Sequence, residues 1–166
     1  MLRVTFDTNI YGFLSKENDA IELKHRIRND KGFIVYGFQP VRKELRDIPK
    51  DKEVARQSRI ALLELYDWIT EGHILSNSDR IVNFGKGYYK QYREVKGLRS
   101  WSEIGVDFLV VACATLNNLD VVCSGDQKTL LSERAQLVYN KVNRLWRYRT
   151  PNFLDYENLL EMFRKK

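Results

Sequence analysis

Short apolar runs alternate with stretches of helical period along this chain, and that alternation most constrains its fold. Residues 2–6, 33–37, 73–75 and 121–123 have strand character, and polar or amphipathic segments long enough for helices separate them. Strands separated in this way form a parallel sheet covered on both faces, joined by right-handed crossovers. The expected architecture is α/β, a three-layer α/β/α sandwich with a parallel sheet of four to five strands. One domain over residues 1–166 suits the length.

Helices are expected over 9–15, 18–29, 39–48, 52–71, 79–95 and 100–117. Most of 126–140 is also expected to be helical, followed by an irregular piece around 145–148. Pro40 is tolerated in a first turn, and Gly72 ends the helix before it. In that helix Val54, Ile60, Leu63, Tyr66 and Ile69 mark the apolar side. Gly85 and Gly87 weaken the helix over 79–95. Ser100 and Glu103 have capping-box spacing. Thr150 and Pro151 have the character of a cap and first residue for a last helix, with Phe153, Tyr156, Leu159, Leu160 and Phe163 on one face.

Hydrophobic residues make up 43% and charged residues 30%, which excludes a disordered chain. The apolar stretch 108–116 is too short to span a bilayer, and the first apolar run meets Asp7 too early for a signal peptide. Cys113 and Cys123 lie in apolar segments and read as core thiols, and with only two histidines a structural zinc site is not expected. A cytoplasmic protein without membrane contact is the expectation. The net charge of +6 favours polyanions.

Four acids stand out. Asp7 follows the first strand, at the carboxyl edge where open α/β sheets bind ligands. A helix cap would explain it equally well. Asp107 is the only charged residue between Glu103 and Asp120, and no Lys or Arg lies one helical turn away. Buried without a partner, it would take up a proton or cost several kcal/mol. Asp126 follows the fourth strand in Val-Val-Cys-Ser-Gly-Asp, where a turn is the simpler explanation. Glu44 lies among Arg and Lys on a helix, the usual setting of a solvated face. Together they are stronger, because the ends of strands one and four are neighbours at a topological switch point. Clustered carboxylates require protons or cations between them, and oxygen-only ligands suit Mg²⁺ or Mn²⁺.

The blocks Val-Thr-Phe-Asp-Thr-Asn-Ile, Val-Arg-Lys-Glu-Leu, Val-Asp-Phe-Leu-Val-Val-Ala-Cys-Ala and Val-Val-Cys-Ser-Gly-Asp, in that order, resemble the PIN-domain nucleases, especially the compact VapC-type toxins. The closing Arg-Thr-Pro-Asn-Phe is similar to that family's last strand and helix. The resemblance implies strand order 3-2-1-4-5 and a Mg²⁺- or Mn²⁺-dependent ribonuclease that leaves a 5′-phosphate and a 3′-hydroxyl. Asp7, Glu44, Asp107 and Asp126 would be the metal-site acids, with Asn9 and Ser124 supporting them. Asp7 would contact the main ion, Asp107 and Asp126 would complete its shell, and Glu44 would orient water or a second ion. An antitoxin partner and a homodimer are implied in the same way. The stretch 79–101 is longer than in the smallest toxins, which leaves a housekeeping nuclease as an alternative. A non-catalytic RNA-binding or assembly module on the same fold is another, against which the four acids argue. A haloacid-dehalogenase-like phosphatase fits poorly, because Asn9 stands where those enzymes place a second, proton-donating Asp.

Two segments mix base with aromatics and are candidate RNA contacts: Tyr88, Tyr89, Lys90, Tyr92, Arg93, Lys96, Arg99 and Trp101, and then Lys141, Arg144, Trp146, Arg147, Tyr148 and Arg149. The plainer alternative is that the rings are core and the charges solvated.

Overall fold

The computed structural model describes residues 1–16, 20–47 and 53–164, with side chains left aside at 20 and 53–56. The elements are β1 (Leu2–Phe6), α1 (Thr8–Lys16), α2 (Ala20–Asn29), β2 (Phe33–Phe38), α3 (Gln39–Arg46), α4 (Glu53–Thr70), β3 (Ile74–Leu75), α5 (Asp79–Glu94), α6 (Trp101–Leu116), β4 (Val121–Cys123), α7 (Glu133–Leu145), β5 (Asn152–Leu154) and α8 (Tyr156–Arg164). All strand pairs are parallel, in the order β3-β2-β1-β4-β5. The expected α/β architecture and strand order are both borne out. The expected ends near residues 18, 48 and 52, and the side chain of Val54, lie outside the described residues.

β1 is central, with Val4 opposite both Val35 and Val121. Val4 and Phe6 are fully buried, and the Phe6 ring meets Tyr11 of α1 edge-on at 5.9 Å. Gly37 of β2 lets α4 lie directly on the sheet, since a Cβ there would sit 2.3 Å from the Tyr66 hydroxyl. That hydroxyl donates to the Phe38 carbonyl at 3.1 Å. On the other side α6 is an almost wholly apolar helix packed against β1 and β4, and α5 and α7 cover it. Burying a side chain the size of Phe108 contributes about 1.5–3 kcal/mol. Where α5, α6 and α7 meet, the Tyr88 hydroxyl donates to Asn143 Oδ1 at 2.6 Å, and Asn143 Nδ2 donates to Thr115 and Thr150.

Four expectations need correction. α5 runs unbroken through Gly85 and Gly87. Gly85 is a contact point there, because a Cβ would sit 3.0 Å from Leu109 of α6. In α4 the buried row is Leu62, Leu65, Tyr66 and Ile69, while Ile60 is 44% exposed. Residues 127–131 form turns, and the next helix, α7, starts after Ser132, whose hydroxyl accepts from Ala135 N–H. It then continues to Leu145, so the irregular piece starts later than expected. Thr150 and Pro151 do not open the last helix, because Asn152–Leu154 pairs with β4 and α8 begins at Tyr156.

Cys113 and Cys123 are buried free thiols, as expected of core residues. No described helix is long and apolar enough to cross a membrane.

Candidate functional site

The chain leaves β1 at Phe6 and β4 at Cys123 side by side, and Asp7 N–H donates to the Cys123 carbonyl at 2.9 Å. This junction places Asp7 and the 124–126 turn together at the carboxyl edge of the sheet. Asp7 is only 4% exposed. Its Oδ1 accepts from Thr8 N–H at 2.7 Å, and its Oδ2 accepts from Asn9 Nδ2 at 2.7 Å and from Ser124 Oγ at 2.8 Å. Asn9 in turn accepts from Gly125 N–H at 2.7 Å, which ties the start of α1 to the turn after β4. Gly125 has no room for a side chain, since a Cβ would sit 2.2 Å from the Phe13 ring.

Ser124 Oγ also accepts from Asp126 N–H at 3.0 Å, so one buried hydroxyl joins two of the acids. The Asp126 carboxylate is held by its own turn. Oδ1 accepts from the N–H groups of Lys128 and Thr129, each at 2.9 Å, and Oδ2 accepts from the Thr129 hydroxyl. Glu44, an exposed residue of α3, accepts from the Thr8 hydroxyl. Asp107 is half-buried on α6, where the nearby Thr129 side chain acts to lower its proton affinity. Glu103 reaches back to Ser100 N–H at 2.7 Å in the expected capping box and stays out of the cluster.

The four acids act on one another. Burial is the main cause that pushes Asp7 up to about 6, with Ser124 and Thr8 opposing and the charges of Glu44 and Asp126 adding to the rise. Asp107 is pushed up to about 7 by burial, then by the charge of Asp7, with Asp126 and Glu44 contributing further. Partial burial acts to raise Asp126, but the Thr129 hydroxyl, the two N–H groups and the charge of Arg99 outweigh it and hold it below the usual carboxylate range. The fold therefore brings Asp7, Glu44, Asp107 and Asp126 into one electrostatic neighbourhood, with Asn9 and Ser124 in contact with Asp7.

As they stand, no three described His, Cys, Asp or Glu side chains are spaced to hold one ion. The reason is visible in the bonding, because Glu44 is turned to Thr8 and Asp126 to Thr129. The donors themselves are all oxygen, and Mg²⁺ keeps several waters while binding through one or two carboxylates. Asp7 and Asp107, with the charge of the first holding up the second, fit that requirement.

Thr8 and Thr129 were not among the expected site residues. Thr8 adjoins Asp7, and Thr129 follows Asp126 by three, a spacing at which a hydroxyl can return to a carboxylate. The basic–aromatic segments divide. Tyr88 and Tyr92 are core, as the plainer alternative has it, whereas Arg99 stands near the acids. The segment 141–149 lies at the opposite, amino edge, where Arg149 pairs with Asp120 at 2.9 Å just before β4.

No protein-family model matches this sequence, and neither does any curated protein. Among solved structures, the fold matches a chain of VapBC2 from Rickettsia felis, in a complex bound to a DNA fragment from their promoter. The TM-score is 0.61 at 11% identity, over 93% of this chain and 99% of that one. It also matches a chain of FitAB bound to an IR36 DNA fragment, with a TM-score of 0.56 at 14% identity, over 92% and 94%. At these identities the likeness is one of fold, and at that level the resemblance drawn from the four acid blocks is borne out. With five parallel strands in the order 3-2-1-4-5 and helices on both faces, the chain has a PIN-like α/β fold.

Proposed function

We propose that the chain is a metal-dependent ribonuclease acting through Asp7, Glu44, Asp107 and Asp126. The observation that carries this reading is the electrostatic conflict at the carboxyl edge. Two buried or half-buried carboxylates, Asp7 and Asp107, both have raised proton affinity, and the largest charge effects on them come from other acids, Glu44 and Asp126 on both and Asp7 on Asp107. A divalent cation relieves that conflict, and the PIN-like fold supports the same reading.

When bound, Mg²⁺ or Mn²⁺ lowers the pKa of an attacking water and offsets charge on the phosphate. The chain's own residues prepare the site. Thr8 N–H, Asn9 and Ser124 fix both oxygens of Asp7, so that it meets its ligand without reorganising. Asp107 presents a second carboxylate from α6. Asp126 and Glu44, held by Thr129 and Thr8, would complete the oxygen shell or orient water once turned from those hydroxyls. Arg99 supplies positive charge for the phosphate chain beside the acids.

The two matched structures are both two-component complexes, VapBC2 and FitAB, which supports a protein partner here, an antitoxin, and a toxin role over a housekeeping one. A homodimer and a cytoplasmic setting belong to the same reading. End-labelled mixed RNA incubated with Mn²⁺, Mg²⁺ or EDTA tests the function. Cleavage with either ion and none in EDTA, leaving 5′-phosphate and 3′-hydroxyl ends, is expected. RNA retained uncut under all three conditions by folded protein would favour the binding module.

A further inference from the structure

α7 begins beside the carboxylate edge, where Arg134 hydrogen-bonds to the Lys96 carbonyl, and its 13 residues carry the chain about 20 Å to the opposite edge of the sheet. The chain there exposes what a folded protein normally covers. Trp146 is 65% exposed and Leu145 76%, with exposed Lys141, Arg144 and Arg147 around them. Of the nearby acids, Asp120 is bound to Arg149, and Asp79 at the start of α5 leaves the patch with a clear excess of positive charge. The platform is firm. Trp146 caps α7, Arg147 takes a left-handed conformation (φ 60°) where glycine is favoured, and Tyr148 N–H closes the turn on the Asn143 carbonyl at 2.9 Å. Asn143 is itself locked in the buried network with Tyr88 and Thr115.

We infer that this patch is a second RNA-binding site, an anchor for single-stranded RNA remote from the acids. An unpaired base stacks on Trp146 while Arg144, Arg147 and Lys141 hold the flanking phosphates. Charge decides the occupant, because a second copy presenting the same patch would bring like charges together, whereas a phosphate chain complements them. The inference rests on RNA being the ligand, as in the reading proposed above. It adds a length requirement, because a strand reaching from the acids to Trp146 must cross about 20 Å, or about six stacked nucleotides at about 3.4 Å each.

The test has two arms. In EDTA, fluorescence anisotropy of a labelled single-stranded RNA of about 20 nucleotides reads binding without cleavage. Trp146→Ala should weaken it about tenfold, and duplex RNA of the same length should be much less affected. Arg147→Ala should reduce the slope of log affinity against log salt by about one. In the second arm, with Mn²⁺, the higher kcat/KM of RNAs extending more than about six nucleotides from the cut should disappear in Trp146→Ala. Unchanged binding by Trp146→Ala overturns the anchor, whatever the cleavage arm shows. Loss of self-association in sedimentation, with RNA affinity unchanged, overturns it in favour of a contact between copies. Trp146-dependent binding by a protein that cuts nothing would sustain the anchor and remove the nuclease reading.

Discussion

Ser124 Oγ donates to Asp7 Oδ2 at 2.8 Å across 117 positions of sequence and simultaneously accepts from Asp126 N–H at 3.0 Å. A single buried hydroxyl thus couples the ends of the two central strands and sets the geometry of two acids. It also lowers the proton affinity of Asp7, against the effect of burial.

Ser124→Ala should therefore shift the acid limb of metal-dependent activity to higher pH, because Asp7 loses a donor that favours its charged form. Stability should fall by about 1–3 kcal/mol, since the Asp126 N–H and one Asp7 lone pair lose their partner. A pH–rate profile and a thermal melt of the variant beside wild type check both. An unmoved acid limb would remove Ser124 from the site.

Without metal, the protein should be less stable at pH 8 than at pH 5.5 by a few kcal/mol, since each tenfold change in proton affinity corresponds to about 1.4 kcal/mol. Asp7 and Asp107 bind protons more tightly folded, at about 6 and about 7, than unfolded, near the ordinary aspartate value of 3.8. Between those values the native state holds more protons than the unfolded chain, so rising pH favours unfolding, and the loss is complete above about 7. Mn²⁺ at pH 8 should restore the difference and have little effect at pH 5. Thermal melts across pH in EDTA and in Mn²⁺ measure it, and a Tm that climbs from pH 5.5 to 8 in EDTA would contradict it.

Asn143→Leu should destabilise the fold by about 2–4 kcal/mol, because the Tyr88 hydroxyl and the hydroxyls of Thr115 and Thr150 lose their shared partner inside the core. Cleavage of RNAs too short to reach Trp146 should stay near wild type per folded molecule in the cold, as the network lies away from the acids. Chemical denaturation gives the first quantity, and cleavage well below the melting range gives the second.

The strands that carry the site were legible because each is an apolar run stopped by a polar residue, as at Phe6–Asp7 and Cys123–Ser124. Elements defined by tertiary contact were not. Asn152–Leu154 is a strand only because β4 offers it an edge, and locally Thr150–Pro151 is as good a helix start as any. Gly85 has the local character of a breaker, yet its missing side chain is what lets α5 approach Leu109. In α4 the rows through Ile60 and Leu62 are both apolar, and only packing selects the second. At the site, Asp7, Asn9 and Ser124 belong to recognisable strand ends. Thr8 and Thr129 were not legible, since a threonine near an acid has no signature until the fold turns its hydroxyl back.

The most direct measurement is the rate of Mn²⁺-dependent cleavage of end-labelled RNA by wild type, Asp7→Asn and Asp107→Asn, with Mn²⁺ binding to each followed by calorimetry. Both variants remove one of the two mutually repelling charges. Each should bind Mn²⁺ more weakly and lose at least about a hundredfold in rate, and Asp107→Asn should melt no lower than wild type in EDTA at pH 8. Cleavage that survives both substitutions, or Mn²⁺ bound equally by all three proteins, would contradict a metal site built on these two acids.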